Sequence, residues 1–135
     1  MSLEASFKVA ASGMRAQAVR LRVVAENLAN AEATAATPGG DPYRRKLVVF
    51  ENLLDRESGT VLPRAVRLLR DQAPFELRYE PGHPAADERG FVKYPNVNPL
   101  IELMDMREAQ RTYEANLNLL ATARGLLLRT LDLLR

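Results

Sequence analysis

"ENLANAEATAATPGGDPYRRKLVVF", residues Glu26 to Phe50, closes one kind of segment and opens another. Upstream of it, Leu3, Phe7, Ala10, Met14, Gln17, Leu21, Val24, Leu28 and Ala31 recur in alternating steps of four and three. That is the heptad stripe of an amphipathic helix, with Gln17 as its one polar member. Ser2 can cap the start. The run Ala33–Gly40 stops the helix, because β-branched residues weaken it and Pro38 and Gly39 end it. Downstream, Leu47–Phe50 is a run of strand formers. Nothing close in sequence can cover the helical stripe, so its partner must come from elsewhere.

The short β-prone runs continue from 43 to about 97: LVVF (47–50), TVL (60–62), AVRLL (65–69), FELRY (75–79) and FVKY (91–94). Glu57–Gly59, Pro63, Pro74, Pro81–Gly82 and Arg89–Gly90 punctuate them. FELRY alternates strictly, with Phe75, Leu77 and Tyr79 on one face and Glu76 and Arg78 on the other. A small antiparallel sheet is expected here, although AVRLL equally suits a helical turn. From Asn98, a cap followed by Pro99 at the first helical position, a second helix pattern runs to the end. Its heptad positions are Leu103, Met106, Gln110, Tyr113, Leu117, Leu120, Arg124, Leu127, Leu131 and Leu134. A second stripe, Ala109, Asn116, Leu119, Ala123, Leu126 and Leu133, lies beside the first.

An α+β fold follows: long N- and C-terminal helices pairing as an antiparallel, coiled-coil-like layer, with a small antiparallel β insert between them. Residues 1–35 and 98–135 form the helical core, 43–97 the β-rich part and 36–42 the linker. The helix-pair seam is expected to comprise Leu3, Phe7, Met14, Leu21, Val24, Leu28, Leu103, Met106, Tyr113, Leu117, Leu120, Leu127 and Leu131. The second stripe (Leu119, Ala123, Leu126, Leu133) then remains for a neighbouring subunit. Two paired helices bury too little apolar surface to offset the entropy of ordering them, so further chains should supply the rest, with frayed termini expected in the lone chain. Adjacent Arg44 and Arg45 point to opposite faces of a strand, and with Asp41 are candidates for subunit contacts or for packing of the Pro42–Tyr43 turn.

Composition excludes several functions. The net charge is +2, and 16 Arg against 3 Lys are dispersed among acids, which argues against a nucleic-acid stripe. There is no cysteine, hence no disulfide and no Cys-based zinc site or nucleophile. The single histidine, His83, sits in a Pro-Gly-His-Pro turn, where it reads as a residue packing on the β insert. No phosphate-cradling glycine loop and no nucleophile elbow occur, and carboxylate pairs such as Glu102/Asp105 have helix-surface spacing. No enzyme activity, cofactor, metal or small-molecule substrate is expected. The polar helix faces mix acids with bases, which favours partner packing over a membrane surface. The start of the chain lacks the charged and apolar regions of a secretory signal, so export would proceed without a cleaved signal of that kind.

SGMRAQAVRLRVVAENLAN (12–30) resembles the N-terminal motif of the axial proteins of the bacterial flagellum, the rod, hook and hook-associated proteins. GGDPYRRKLVVFE (39–51), YEPGHPAADERGFVKYPNVN (79–98) and MREAQRTYEANLNLLATAR (106–124) are similar to the proximal-rod members of that family. Asp41 splits the family's usual Gly-Gly-Pro-Tyr, Arg124 stands where Lys is usual, and 52–74 match weakly. The resemblance implies a structural subunit whose terminal helices form the inner layer of a tube with a β domain outside. It implies export as an unfolded chain by the flagellar type III apparatus and residence in the basal-body rod crossing the periplasm. Copies of itself, other rod proteins, the MS ring and rod-adapter proteins are the implied partners. The competing reading is a cytoplasmic coiled-coil adaptor or scaffold, which would have no need of the β insert and its YPNVN turn.

Overall fold

The structure is a computed structural model that describes residues 2–135. The elements in chain order are α1 (Leu3–Ala29), β1 (Lys46–Asp55), β2 (Thr60–Arg70), β3 (Glu76–Tyr79), β4 (Phe91–Tyr94) and α2 (Pro99–Leu133). The sequence therefore yields two long helices with an antiparallel β region between them. Both expected helix starts are built as the residue types require. The Ser2 hydroxyl accepts the Ala5 N–H at 3.1 Å, and Asn98 Oδ1 accepts the Leu100 N–H at 3.1 Å. Pro99 occupies the first helical position, where its missing N–H costs nothing.

The β region is two separate two-stranded sheets, β1–β2 and β3–β4, where one sheet was expected. TVL and AVRLL merge into the single strand β2, which runs through Pro63. Proline is confined to edge strands, and in a two-stranded ribbon each strand has one open side that needs no ladder donor. The side chains of Ala65 and Val66 lie outside the described ones. Arg56–Gly59 joins β1 to β2, with Gly59 at φ +67°, the left-handed conformation that closes such a turn. In β3–β4, Glu76 pairs with Tyr94 and Tyr79 with Phe91.

The chain divides into two compact units. The first contains residues up to Leu21, Val48–Arg67 and Met106–Arg135; the second contains Arg22–Leu47 and Leu68–Asp105. In the first, Arg20 pairs with Glu108 at 3.3 Å and Gly13 faces Asn116, so α1 and α2 run antiparallel. Ala5, Ala10 and Ala16 on α1 and Ala109 and Ala123 on α2 are buried. These are small residues, and the missing side chain of Gly13 is filled by Asn116: a Cβ on Gly13 would stand 2.7 Å from Asn116 Nδ2. In the second unit Val92, Tyr94 and Ala85 form a core, with Ala35 and Ala86 packed against it.

Candidate assembly surface

A buried polar junction ties together the elements of the second unit. Asn27, on the last turns of α1, is 1% exposed and uses all four of its hydrogen-bonding positions. Its Oδ1 accepts from the Tyr43 hydroxyl at 2.7 Å and from the Lys46 N–H at 2.9 Å. Its Nδ2 donates to the Lys46 carbonyl at 2.9 Å and to Glu102 Oε2 at 3.3 Å. Burial, then the nearby Glu26 carboxylate, pushes the Tyr43 phenol up and keeps it a donor. Glu102, at the start of α2, is fully buried, and Arg45 Nε pairs with its other oxygen. The Arg45 guanidinium also reaches Asp71 at 3.3 Å and Asp105 at 3.5 Å. Charge-assisted bonds of this kind compensate the burial of both ions.

The three loop candidates are thus engaged inside the chain. Arg45 is committed to Glu102, a buried carboxylate that requires a cation. Arg44 donates to the carbonyls of Asp71 at 2.8 Å and Ala73 at 3.2 Å, and its guanidinium lies 4.2 Å from the centre of the Phe75 ring. Asp41 is exposed and pairs with Lys93 at 3.1 Å. Asn96, in the YPNVN turn, accepts the Arg45 N–H at 2.8 Å and donates to the Asp71 carbonyl at 2.9 Å. Sequence reasoning missed Asn27 and Glu102 as partners. The available signal was a polar residue flanked by Val23, Val24 and Leu28, beside the apolar stripe.

The expected seam residues differ in how far they are covered. Of the expected residues, Val24 is buried, and Leu3, Phe7, Met14, Leu21, Leu28, Met106, Tyr113 and Leu120 are half-buried. Met14, Tyr113 and Leu120 come together, with Ala11, Arg15 and Ala18, around an open recess of about 320 Å3. Leu103, Leu117, Leu127 and Leu131 are exposed. Ala123, expected to serve a neighbouring subunit, is 3% exposed and lies in the chain's own core with Ala109. The physical reason is side-chain size. Gly13 leaves room for the Asn116 side chain and Ala16, Ala109 and Ala123 are buried, whereas the bulky leucines Leu103, Leu117, Leu127 and Leu131 stay exposed. Leu119, Leu126 and Leu133 from the same second stripe are exposed, Leu133 to 86%.

The result is a helix with more apolar surface than its own chain can cover. From Leu126 to the end of the chain every residue is exposed, including Leu126, Leu127, Leu128, Leu131 and Leu133 of α2 and Leu134 beyond it. Gln17, the polar member of the α1 stripe, has its Oε1 buried without a hydrogen-bond partner among the described residues. Among those residues no group of three or more metal-ligating side chains gathers, and no helix is long and apolar enough to cross a membrane.

Two parts of the chain match protein families: residues 7–35 match "Flagella basal body rod protein", and residues 88–133 match "Flagellar basal body rod FlgEFG protein C-terminal". The chain is 51% identical over 133 residues to the flagellar basal-body rod protein FlgC of Agrobacterium fabrum, covering 98% of this chain and 96% of the relative. It is 41% identical to FlgC of Escherichia coli O6:H1, covering 98% of each, and 39% identical to FlgC of Aquifex aeolicus, covering 98% and 97%. Matches at both helices, together with identity running nearly end to end, lead to one conclusion: the chain belongs to the FlgC family of flagellar basal-body rod proteins.

Proposed function

We propose that the protein is a rod subunit that polymerises through its terminal helices into the tubular shaft of the basal body. The observation that carries this is the uncovered apolar surface of α2, whose leucines from Leu126 onward have no cover in their own chain. Leu103, Leu117, Leu119, Leu126, Leu127, Leu131 and Leu133 would pack against helices of neighbouring subunits. Residues 1–35 and 98–135 would form the inner layer, residues 43–97 the outer part, and 36–42 the link. Asp41, exposed beside Lys93, remains available at the outer surface, whereas Arg44 and Arg45 would act by holding the junction that orients it. The subunit would leave the cytoplasm as an unfolded chain through the flagellar type III apparatus and join other copies and other rod proteins between the MS ring and the hook.

Comparing export with incorporation in cells carrying Leu126→Asp tests this. Leu126 is 52% exposed in the lone chain, so the substitution leaves the subunit's fold intact. A buried unpaired charge in a packed interface costs several kcal/mol. Secreted but unassembled protein is the expected result. Rods of normal length with full motility would refute the reading.

A further inference from the structure

His83 is the only histidine of the chain, and nothing in helix pairing uses it. It lies in the connection between β3 and β4, where its Nδ1 accepts the Ala85 N–H at 2.9 Å. A ring nitrogen that accepts carries no proton, so this bond requires a bare Nδ1. The bond spans two residues, the spacing by which an Asx carbonyl fixes a turn. The residue it fixes is central to the second unit. Ala85 is 2% exposed and packs with Val92 and Tyr94. Its carbonyl accepts the Gly39 N–H at 3.1 Å, and Ala35, from the same connection that leaves α1, packs on the same core.

We propose that His83 is an acid-sensitive latch on the connection that follows α1. Protonation puts an N–H on Nδ1, pointing at the Ala85 N–H; one hydrogen bond is lost and two donors are opposed. Flipping the ring offers a carbon at that place and no acceptor. The Ala85 amide is released, which loosens the residue whose carbonyl docks Gly39, although the Ala86 N–H still holds the His83 carbonyl at 3.0 Å.

The charged and titratable groups around the ring do not replace the lost acceptor. Tyr94 meets the ring edge-on, with centroids 6.4 Å apart, and its hydroxyl is donated to Glu80 at 2.7 Å. The Arg78 guanidinium lies 4.0 Å from the centre of the Tyr94 ring and pairs with Glu76 and Glu32. Asp87 is occupied by the Arg89 and Phe91 N–H groups. Glu88 and Arg89 are exposed, and Lys93 is paired with Asp41.

Amide hydrogen exchange on the full chain tests the latch, with rates corrected for the intrinsic pH dependence, from about pH 8 to about pH 5, the range in which histidine charge changes. The His83 ring is followed by NMR in the same samples. Protection of Ala85 and Gly39 should fall about tenfold as the ring titrates, the worth of one hydrogen bond. Phe91, held by Asp87, should keep its protection. His83→Asn supplies a carbonyl at the same spacing that does not titrate, and should hold Ala85 and Gly39 equally at both pH values. Unchanged protection in the wild type across the ring's titration would overturn the proposal. So would an equal loss in His83→Asn, which would place the effect on Glu80 or Asp87.

Discussion

Replacing Asn27 by Asp changes one atom and inverts two hydrogen bonds. The retained Oδ1 still accepts from the Tyr43 hydroxyl and the Lys46 N–H. The second oxygen replaces an N–H donor and now faces the Lys46 carbonyl and Glu102 Oε2, formerly bonded at 2.9 and 3.3 Å. Each buried acceptor left facing an acceptor costs about 1–3 kcal/mol. Two ionised carboxylates about 4 Å apart repel by about 4 kcal/mol at an effective dielectric near 20, which the pair escapes by holding one proton. Destabilisation at neutral pH should therefore be about 3–6 kcal/mol, a large share of a domain's whole stability. The pH dependence has a definite sign. The pair's folded-state affinity for a proton is raised above that of the unfolded chain, so the native state binds more protons and stability falls as pH rises. The deficit should shrink as pH drops toward the ordinary carboxylate range. Asn27→Ala loses all four bonds, not two, but adds no charge, so its cost should stay nearly flat with pH. Urea unfolding followed by circular dichroism at about pH 7.5 and about pH 5 separates the two variants. Asn27→Asp within about 1 kcal/mol of the wild type at neutral pH, or a pH profile parallel to that of Asn27→Ala, would refute the account of the junction.

Further outcomes follow from the same contacts. Ala123→Leu, at a closely packed buried site, should cost about 1–3 kcal/mol, whereas Leu117→Asp on the exposed flank should cost under about 1, both read from thermal melts. Arg45→Ala leaves Glu102 buried with its main cation gone and should cost about 3–5 kcal/mol, well above Arg44→Ala, in the same urea assay. The Ser58 hydroxyl, then the Lys8 ammonium, holds the Asp55 carboxyl below its ordinary range. Its small contribution is present above that range and lost as pH falls through the folded value, so Asp55→Asn should flatten the acid limb of the stability curve.

Much of the fold was legible because local chemistry fixes it. Ser2, Asn98 and Pro99 mark helix starts by hydrogen bonds within a few residues, and the turn at Gly59 closes a hairpin of neighbours. The seam was legible only in part. Heptad spacing locates the stripe, but it does not tell which line of the stripe faces the partner when small and large residues run side by side. Gly13, filled by the Asn116 side chain, and the buried Ala123 show which line is covered, a three-dimensional property. The junction of Asn27, Tyr43, Arg45 and Glu102 was hard to read for another reason: its members are remote in sequence, and only Asn27, flanked by Val23, Val24 and Leu28, stands out from ordinary helix surface or turn. Pro63 misled the reading because it breaks a strand only where the strand is central.

Because the chain has no cysteine, a single thiol reports cleanly on burial. Leu133 is 86% exposed in the lone chain, on the last turn of α2. The rate of maleimide labelling of Leu133→Cys, measured on the dilute chain and on isolated basal bodies, tests whether assembly covers this helix. Rapid labelling of the free chain and strong protection in the basal body are expected; equal rates in both would contradict assembly through α2.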